Sequence, residues 1–202
     1  MSQIKVKEKW LRLTEETNAL DYLEKAFYYI RETEGSIIAW KWVILSLFGA
    51  LYGFAICACK GSSPDWVTCK TKKGRKLIGF DEALKICQDP NRMKMFIFSK
   101  HLKLSKNQKE SIRKLHKDYR NYFEHYIPTT WSIEVHGMPQ IALDVLAVIR
   151  FLALETGNCT CLTKTQIKRI KSIVFQSKKI LKKSFLYTEA RQITKFKKLT
   201  DS

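Results

Sequence analysis

The sequence predicts an all-α fold, a single-domain bundle of about five to six helices. Three observations carry this expectation. Apolar residues recur at three- and four-residue steps, capping signals stand before them, and Gly or Pro closes them. The 202 residues are 45% hydrophobic, enough to bury one full core. Residues 1–12 read as a basic N-terminal lead, 13–190 as the helical domain and 191–202 as a basic tail.

The first helix runs from Glu15 to about Arg31, where Leu20, Leu23, Phe27 and Ile30 share a face and Glu34-Gly35-Ser36 breaks it. The second spans Ile37 to Cys59 and is apolar nearly all round. Its stretch from Val43 to Cys59 holds no charge, which is the lower limit for a membrane span, with Lys41 and Lys60 placed to snorkel. Ser46, Gly49 and Gly53 fit instead a central helix enclosed by neighbours, so a membrane contact is not expected, and a small membrane-anchored protein with a span at 43–59 is the alternative. Gly61 to Pro64 is a loop, Lys70 to Lys76 a solvated basic connector, and Phe80 to Cys87 a short helix stopped by Asp89-Pro90. Ser105 caps a helix over Lys106 to Tyr126. Pro139 opens the next, with Ile141, Val145, Val148, Phe151 and Leu152 on its apolar face, and Gly157 ends it. Thr163-Lys-Thr-Gln166 is a capping box for the last helix, expected to end near Tyr187.

The charge is strongly lopsided. Thirty-seven Lys and Arg against 19 Asp and Glu give +18, which points to a polyanion such as nucleic acid or an anionic membrane surface, and charge alone does not choose between them. Leu162 to Ser202 alone carries twelve Lys and Arg against two acids, and Lys178, Lys179, Lys182 and Lys183 are the candidate RNA contacts. The charged N-terminus lacks an apolar signal core, so a cytoplasmic location is expected. Six cysteines include the pairs Cys57-Ala-Cys59 and Cys159-Thr-Cys161, whose four thiolates could hold zinc. Reduced thiols used as small core residues are the default, and neither metal nor cofactor is expected.

Arg120, Asn121 and His125, within Leu115-His-Lys-Asp-Tyr-Arg-Asn-Tyr-Phe-Glu-His-Tyr-Ile-Pro128, are the candidate catalytic residues. On an ideal helix Ile112, Leu115, Tyr119, Tyr122 and Tyr126 form one stripe, with Asn121 and His125 on roughly the opposite side. A guanidinium there can hold a phosphate, and an imidazole can exchange protons near neutral pH. Glu124 is read as solvated or paired with Arg120 at the four-residue step. His101, His116 and His136 are read as structural, and Trp40 and Trp131 as core.

Arg-Asn followed by His125 at this spacing resembles the signature of the HEPN superfamily. The Ala50 to Gly61 segment is similar to the early alanine- and glycine-bearing helix of such domains. The resemblance implies a helical domain that dimerises through the motif helix. In active members it implies a metal-independent endoribonuclease acting as toxin, defence effector or RNA processor; other members are binding or dimerisation modules. It also implies RNA as a partner and admits an antitoxin or other regulatory partner. The Tyr that some antitoxins modify falls two residues after the His. Here Ile127 occupies that position, with Tyr126 one residue early.

Metal-free RNA cleavage needs a base at the ribose 2′-OH, charge stabilisation at phosphorus and a proton for the leaving 5′-oxygen. One chain offers one such His. A two-fold dimer apposing two motif helices would supply the second.

Overall fold

Gly49 and Gly53 lie one helical turn apart on the second helix, and both face the first. A Cβ at Gly49 would sit 2.5 Å from the Tyr22 ring, and one at Gly53 would sit 2.7 Å from the Ala19 Cβ. The absence of side chains lets α1 (Glu15–Glu32) and α2 (Ala39–Lys60) approach closely as an antiparallel pair. Their far ends are tied by charge, with Lys60 Nζ 3.2 Å from Glu15 and 3.5 Å from Glu16. The capping box predicted elsewhere also appears at Thr14, which starts α1 reciprocally with Thr17.

The computed structural model describes residues 9–125, 128, 130 and 132–200, with side chains to Ile193. Expectations placed on residues 1–8, Tyr126, Ile127 and Trp131 lie outside them. Helix makes up 67% and strand 4%, which fits the all-α class. The elements after α2 are β1 (Thr68–Thr71), β2 (Gly74–Leu77), α3 (Phe80–Gln88) and the single turn α4 (Pro90–Met93). Then come α5 (Lys106–Arg113), a π-helical segment (Lys114–Arg120) and α6 (Asn121–Glu124), which are continuous and form the motif helix. Next are α7 (Met138–Leu154), α8 (Lys164–Lys183) and α9 (Phe185–Thr200).

α2 is the axis of the bundle. Trp40, Val43, Ile44, Leu47, Leu51 and Phe54 are fully enclosed, and α1, α7, α3 and the π-helical segment pack around it. By length and composition α2 could cross a membrane, yet 67% of its most apolar window is covered by these neighbours. α8 closes the other side against α1 and α7. Gly157 takes φ 78° after α7, a left-handed turn where a Cβ would strike the Phe98 ring at 2.7 Å.

The structure corrects three expectations. The connector Lys70 to Lys76 is an antiparallel hairpin, with Thr68 opposite Leu77 and Thr71 opposite Gly74. Its strands have no apolar alternation because almost nothing in them is buried, so sequence patterning could not reveal them. Turn chemistry closes it instead: Gly74 adopts φ 117° and the Thr71 hydroxyl donates to the Gly74 carbonyl at 2.8 Å. The helix expected to be the last stops at Lys183 rather than near Tyr187, and α9 follows it, running through residues 191–200 of the expected tail. Ser184 causes this break. Its backbone is extended, and its hydroxyl donates to Leu181 O at 2.8 Å while accepting from Tyr187 N at 3.4 Å. The third correction is the irregular motif helix, described below with the site.

The glycine packing has a measurable consequence. Gly53→Ala gains about 1 kcal/mol of helix propensity, but overpacking against a rigid Ala19 costs roughly 1–3 kcal/mol. Chemical unfolding should therefore show Gly53→Ala to be destabilised, while Gly35→Ala, whose Cβ meets nothing within 4 Å, should be neutral or stabilised. Equal stability of both variants would remove the close-approach argument.

Candidate functional site around Arg120

The motif helix begins as expected, with Ser105 and Gln108 forming a reciprocal capping box. Ile112 and Leu115 are buried, as the stripe requires. Beyond them the backbone widens into the π-helical segment, and such segments advance the side-chain register relative to an ideal α-helix. The apolar face therefore continues through half-buried Tyr119 and Phe123, both packed on the core, whereas Tyr122 turns outward at 55% exposure. This corrects the ideal-wheel assignment of Tyr122 to the stripe. The described helix ends at Glu124, with His125 as its C-cap at φ −114°, and Tyr126, where its end was expected, lies outside the described residues.

The same register change moves Arg120 inward. Its guanidinium carbon lies 5.0 Å from the centroid of the Phe48 ring, and Nη1 donates to Asn121 Oδ1 at 3.1 Å. Nη2 pairs with the Glu124 carboxylate one turn on. Nε is buried and has no hydrogen-bond partner among the described residues. An unsatisfied buried donor costs about 1–3 kcal/mol, which the ring contact and the ion pair offset. Arg120 and Asn121 are thus brought together. His125 is exposed, its backbone N–H donates to Asn121 O at 2.8 Å, and no side-chain bond joins it to either residue among those described.

His116 enters the site unannounced by the sequence. Its ring stacks on the same Phe48 at 5.1 Å and meets Phe80 edge-on at 4.9 Å, while Nδ1 lies 3.4 Å from Asp81. Lys117 Nζ holds the same carboxylate at 2.7 Å and pulls the Asp81 pKa down, with His116 adding to the effect. Burial pushes His116 below the usual imidazole value; Lys117 and Arg120 act in the same direction, and Asp81 opposes them. His136, by contrast, is raised, chiefly by Glu134 at 2.5 Å and also by Glu189 at 3.2 Å, and ties the loop before α7 to α9.

A cleft of about 680 Å³ opens beside Arg120 between α1, α2 and the motif helix. α1 contributes Asn18, Asp21, Tyr22, Lys25 and Tyr29; α2 contributes Trp42, Phe48 and Tyr52; Arg120 and Glu124 form one wall. The α1 residues recur at three- and four-residue steps opposite Leu20, Leu23 and Ile30. That stripe was present in the sequence, but only the α1–α2 packing shows that it faces α2 aromatics.

The four candidate lysines differ in exposure. Lys178 is half-buried, and desolvation followed by Arg150 and Lys182 lowers its pKa. Lys179, Lys182 and Lys183 are exposed on α8, where Phe175 also stands 70% exposed. α8 packs chiefly on α1 and α7, away from the motif helix.

Three of the six thiols, Cys57, Cys59 and Cys87, are core residues, while Cys159 is partly buried and Cys69 and Cys161 are exposed. Cys59 and Cys87 lie 3.3 Å apart, donating to the carbonyls of Ala83 and Ala55, and burial raises the Cys57 pKa. Among the described residues no group of three or more His, Cys, Asp or Glu could hold a metal. Comparison with family models, curated proteins and solved structures finds no match to this chain.

The depressed His116 pKa predicts a pH effect. Neutral His116 favours the fold above the ordinary value of 6.5, and that advantage is lost as pH falls from there toward the lower folded value. Thermal unfolding of His116→Phe, which preserves the stack, should show a Tm advantage over wild type that grows from pH 7.5 to 5.5. A constant difference would refute the assignment.

Proposed function

We propose that this chain is a HEPN-like, metal-independent endoribonuclease working as a homodimer in the cytoplasm. The observation that carries the reading is Arg120, oriented by Phe48, Asn121 and Glu124 at the rim of a cleft, with an exposed His125 at the helix end. A guanidinium held this way reaches a phosphate with little further ordering, and it stays charged throughout turnover. His125 removes the 2′-OH proton. The O2′ then attacks phosphorus, Arg120 stabilises the charge that develops, and the partner's His125 protonates the leaving 5′-oxygen. Asn121 positions the guanidinium through its Oδ1 contact. The exposed lysines of α8 retain the rest of the RNA by phosphate contacts. A toxin, defence or RNA-processing role follows from the same chemistry.

A second reading rests on a specific contact. Glu124 already neutralises Arg120, and His125 stands apart from both, an arrangement that suits a non-catalytic RNA-binding or dimerisation module.

Incubation of purified protein with RNA in EDTA decides between them. Wild type should cut, leave a 2′,3′-cyclic phosphate and spare DNA, since attack requires the 2′-OH. His125→Ala and Arg120→Ala should each reduce cleavage by roughly two to four orders of magnitude. Arg120→Ala should also lose about 0.5–2 kcal/mol of stability with its ring contact, a loss that Arg120→Lys should partly restore. RNA binding without cleavage would favour the module; a divalent-ion requirement would refute the assigned roles. Light scattering should give twice the monomer mass, and a fully active monomer would exclude the composite site.

The α8 contact is tested separately. Replacing Lys179, Lys182 and Lys183 with Glu should reduce the log–log salt slope of single-stranded RNA binding by about 2. An unchanged slope would place the RNA contact elsewhere.

A further inference from the structure

The cleft beside Arg120 has the size and lining of a ligand site, and its volume of about 680 Å³ falls in the range that small ligands occupy. Its aromatic rings are already ordered. Tyr22 is held over Gly49, Tyr29 and Trp42 stack at 5.9 Å, and the Tyr52 hydroxyl donates to Ile78 O. Tyr22 and Trp42 line the cleft and nonetheless remain 40% and 45% exposed. Ordered, accessible aromatic faces favour stacking of a planar base.

The polar groups narrow the choice of base. Glu15 is engaged by Lys60, and Glu124 by Arg120. Asp21 and Lys25 are one turn apart on α1 and line the same cleft, yet no ion pair involves either among the described residues. A carboxylate accepts two hydrogen bonds, and an ammonium donates. Guanine presents the complementary edge, with N1–H and N2–H toward Asp21 and O6 toward Lys25. Adenine and cytosine would each turn a ring-nitrogen acceptor to the carboxylate, and uracil would flank its single N–H with two carbonyls. Carboxylates also repel phosphate from the cleft interior, which leaves the phosphate at the Arg120 end.

We propose that the cleft between α1, α2 and the motif helix is a subsite for an unpaired guanine whose 3′-phosphate meets Arg120. The proposal rests on the ribonuclease reading and makes the enzyme a single-strand nuclease that cuts on the 3′ side of guanosine. The shared chemistry could come from a free nucleotide or from an RNA chain.

Calorimetric titration of full-length His125→Ala, which removes turnover, tests binding alone. Guanosine 3′-monophosphate should bind roughly ten- to a hundredfold tighter than its adenosine, cytidine and uridine counterparts. Inosine 3′-monophosphate, lacking the N2 amine, should fall between them. Asp21→Asn should erase the preference while leaving the circular dichroism spectrum unchanged, because Asp21 is exposed. A short RNA with one guanosine should bind more tightly than the mononucleotide if a chain is the ligand, and equally if a free nucleotide is. Absent binding, equal affinity for all bases, or a preference that survives Asp21→Asn would overturn the proposal. Guanosine preference in a protein that cuts nothing would leave the subsite intact and overturn the nuclease reading. RNA cleavage by wild type without base preference would do the reverse.

Discussion

The close approach of α1 and α2 is the constraint on which the other placements depend. Two glycines on one face of α2, set against Ala19 and the Tyr22 ring, bring the axes together and fix their register. With that register set, the inner face of α1 joins the core and its polar face turns toward the aromatic side chains of α2. The cleft is a by-product of this geometry: the polar face of α1 lines it together with Gly49, Gly53 and the α2 side chains Trp42, Phe48 and Tyr52. α3, α7 and the motif helix then cover the remaining sides of α2. A helix this apolar packs stably in a bundle when neighbours enclose it, and the surrounding helices cover 67% of its most apolar window.

Phe48 links that frame to the candidate chemistry. One ring receives both the Arg120 guanidinium and the His116 imidazole, and these come from successive turns of the widened helix. An ideal α-helix would place position 120 differently relative to α2, so the π-helical segment and the ring act together. The extra width near Leu115 is stabilised because it carries Tyr119 and Phe123 onto the core, and the displaced Arg120 finds a π-face and a carboxylate. Local irregularity is retained where several contacts share its cost.

Much of the fold was legible because its signals are local. The caps at Ser105 and Thr163, the glycine-bearing α2 and the buried stripes of α1 and α7 depend on residues within a turn or two of each other. The hairpin left no apolar period because its strands are exposed, and the α8–α9 break depends on how one serine hydroxyl is shared between two helix ends. At the site, the Arg120–Asn121 and Arg120–Glu124 neighbours could be read from helical spacing. Arg120 over Phe48, and His116 beside Asp81, could not, since they join residues distant in sequence through a helix of irregular pitch. The stripe Asn18, Asp21, Tyr22, Lys25 is a plain solvent face until α2 is placed opposite it.

The pairing of Glu124 with Arg120 gives the site a built-in counterion. An arginine alone at a cleft rim attracts any passing anion, and in a chain of net charge +18 that background would be strong. With a carboxylate one turn away, an incoming anion must compete with a tethered ligand at high effective concentration. Chloride or a lone carboxylate gains too little from one weak contact to win. On the proposed reading, a phosphodiester flanked by further phosphates and a stacked base would bring several contacts at once and displace Glu124 with their combined free energy. On that reading the rim arginine would discriminate by valency, remaining quiet toward simple ions and opening to a polymer.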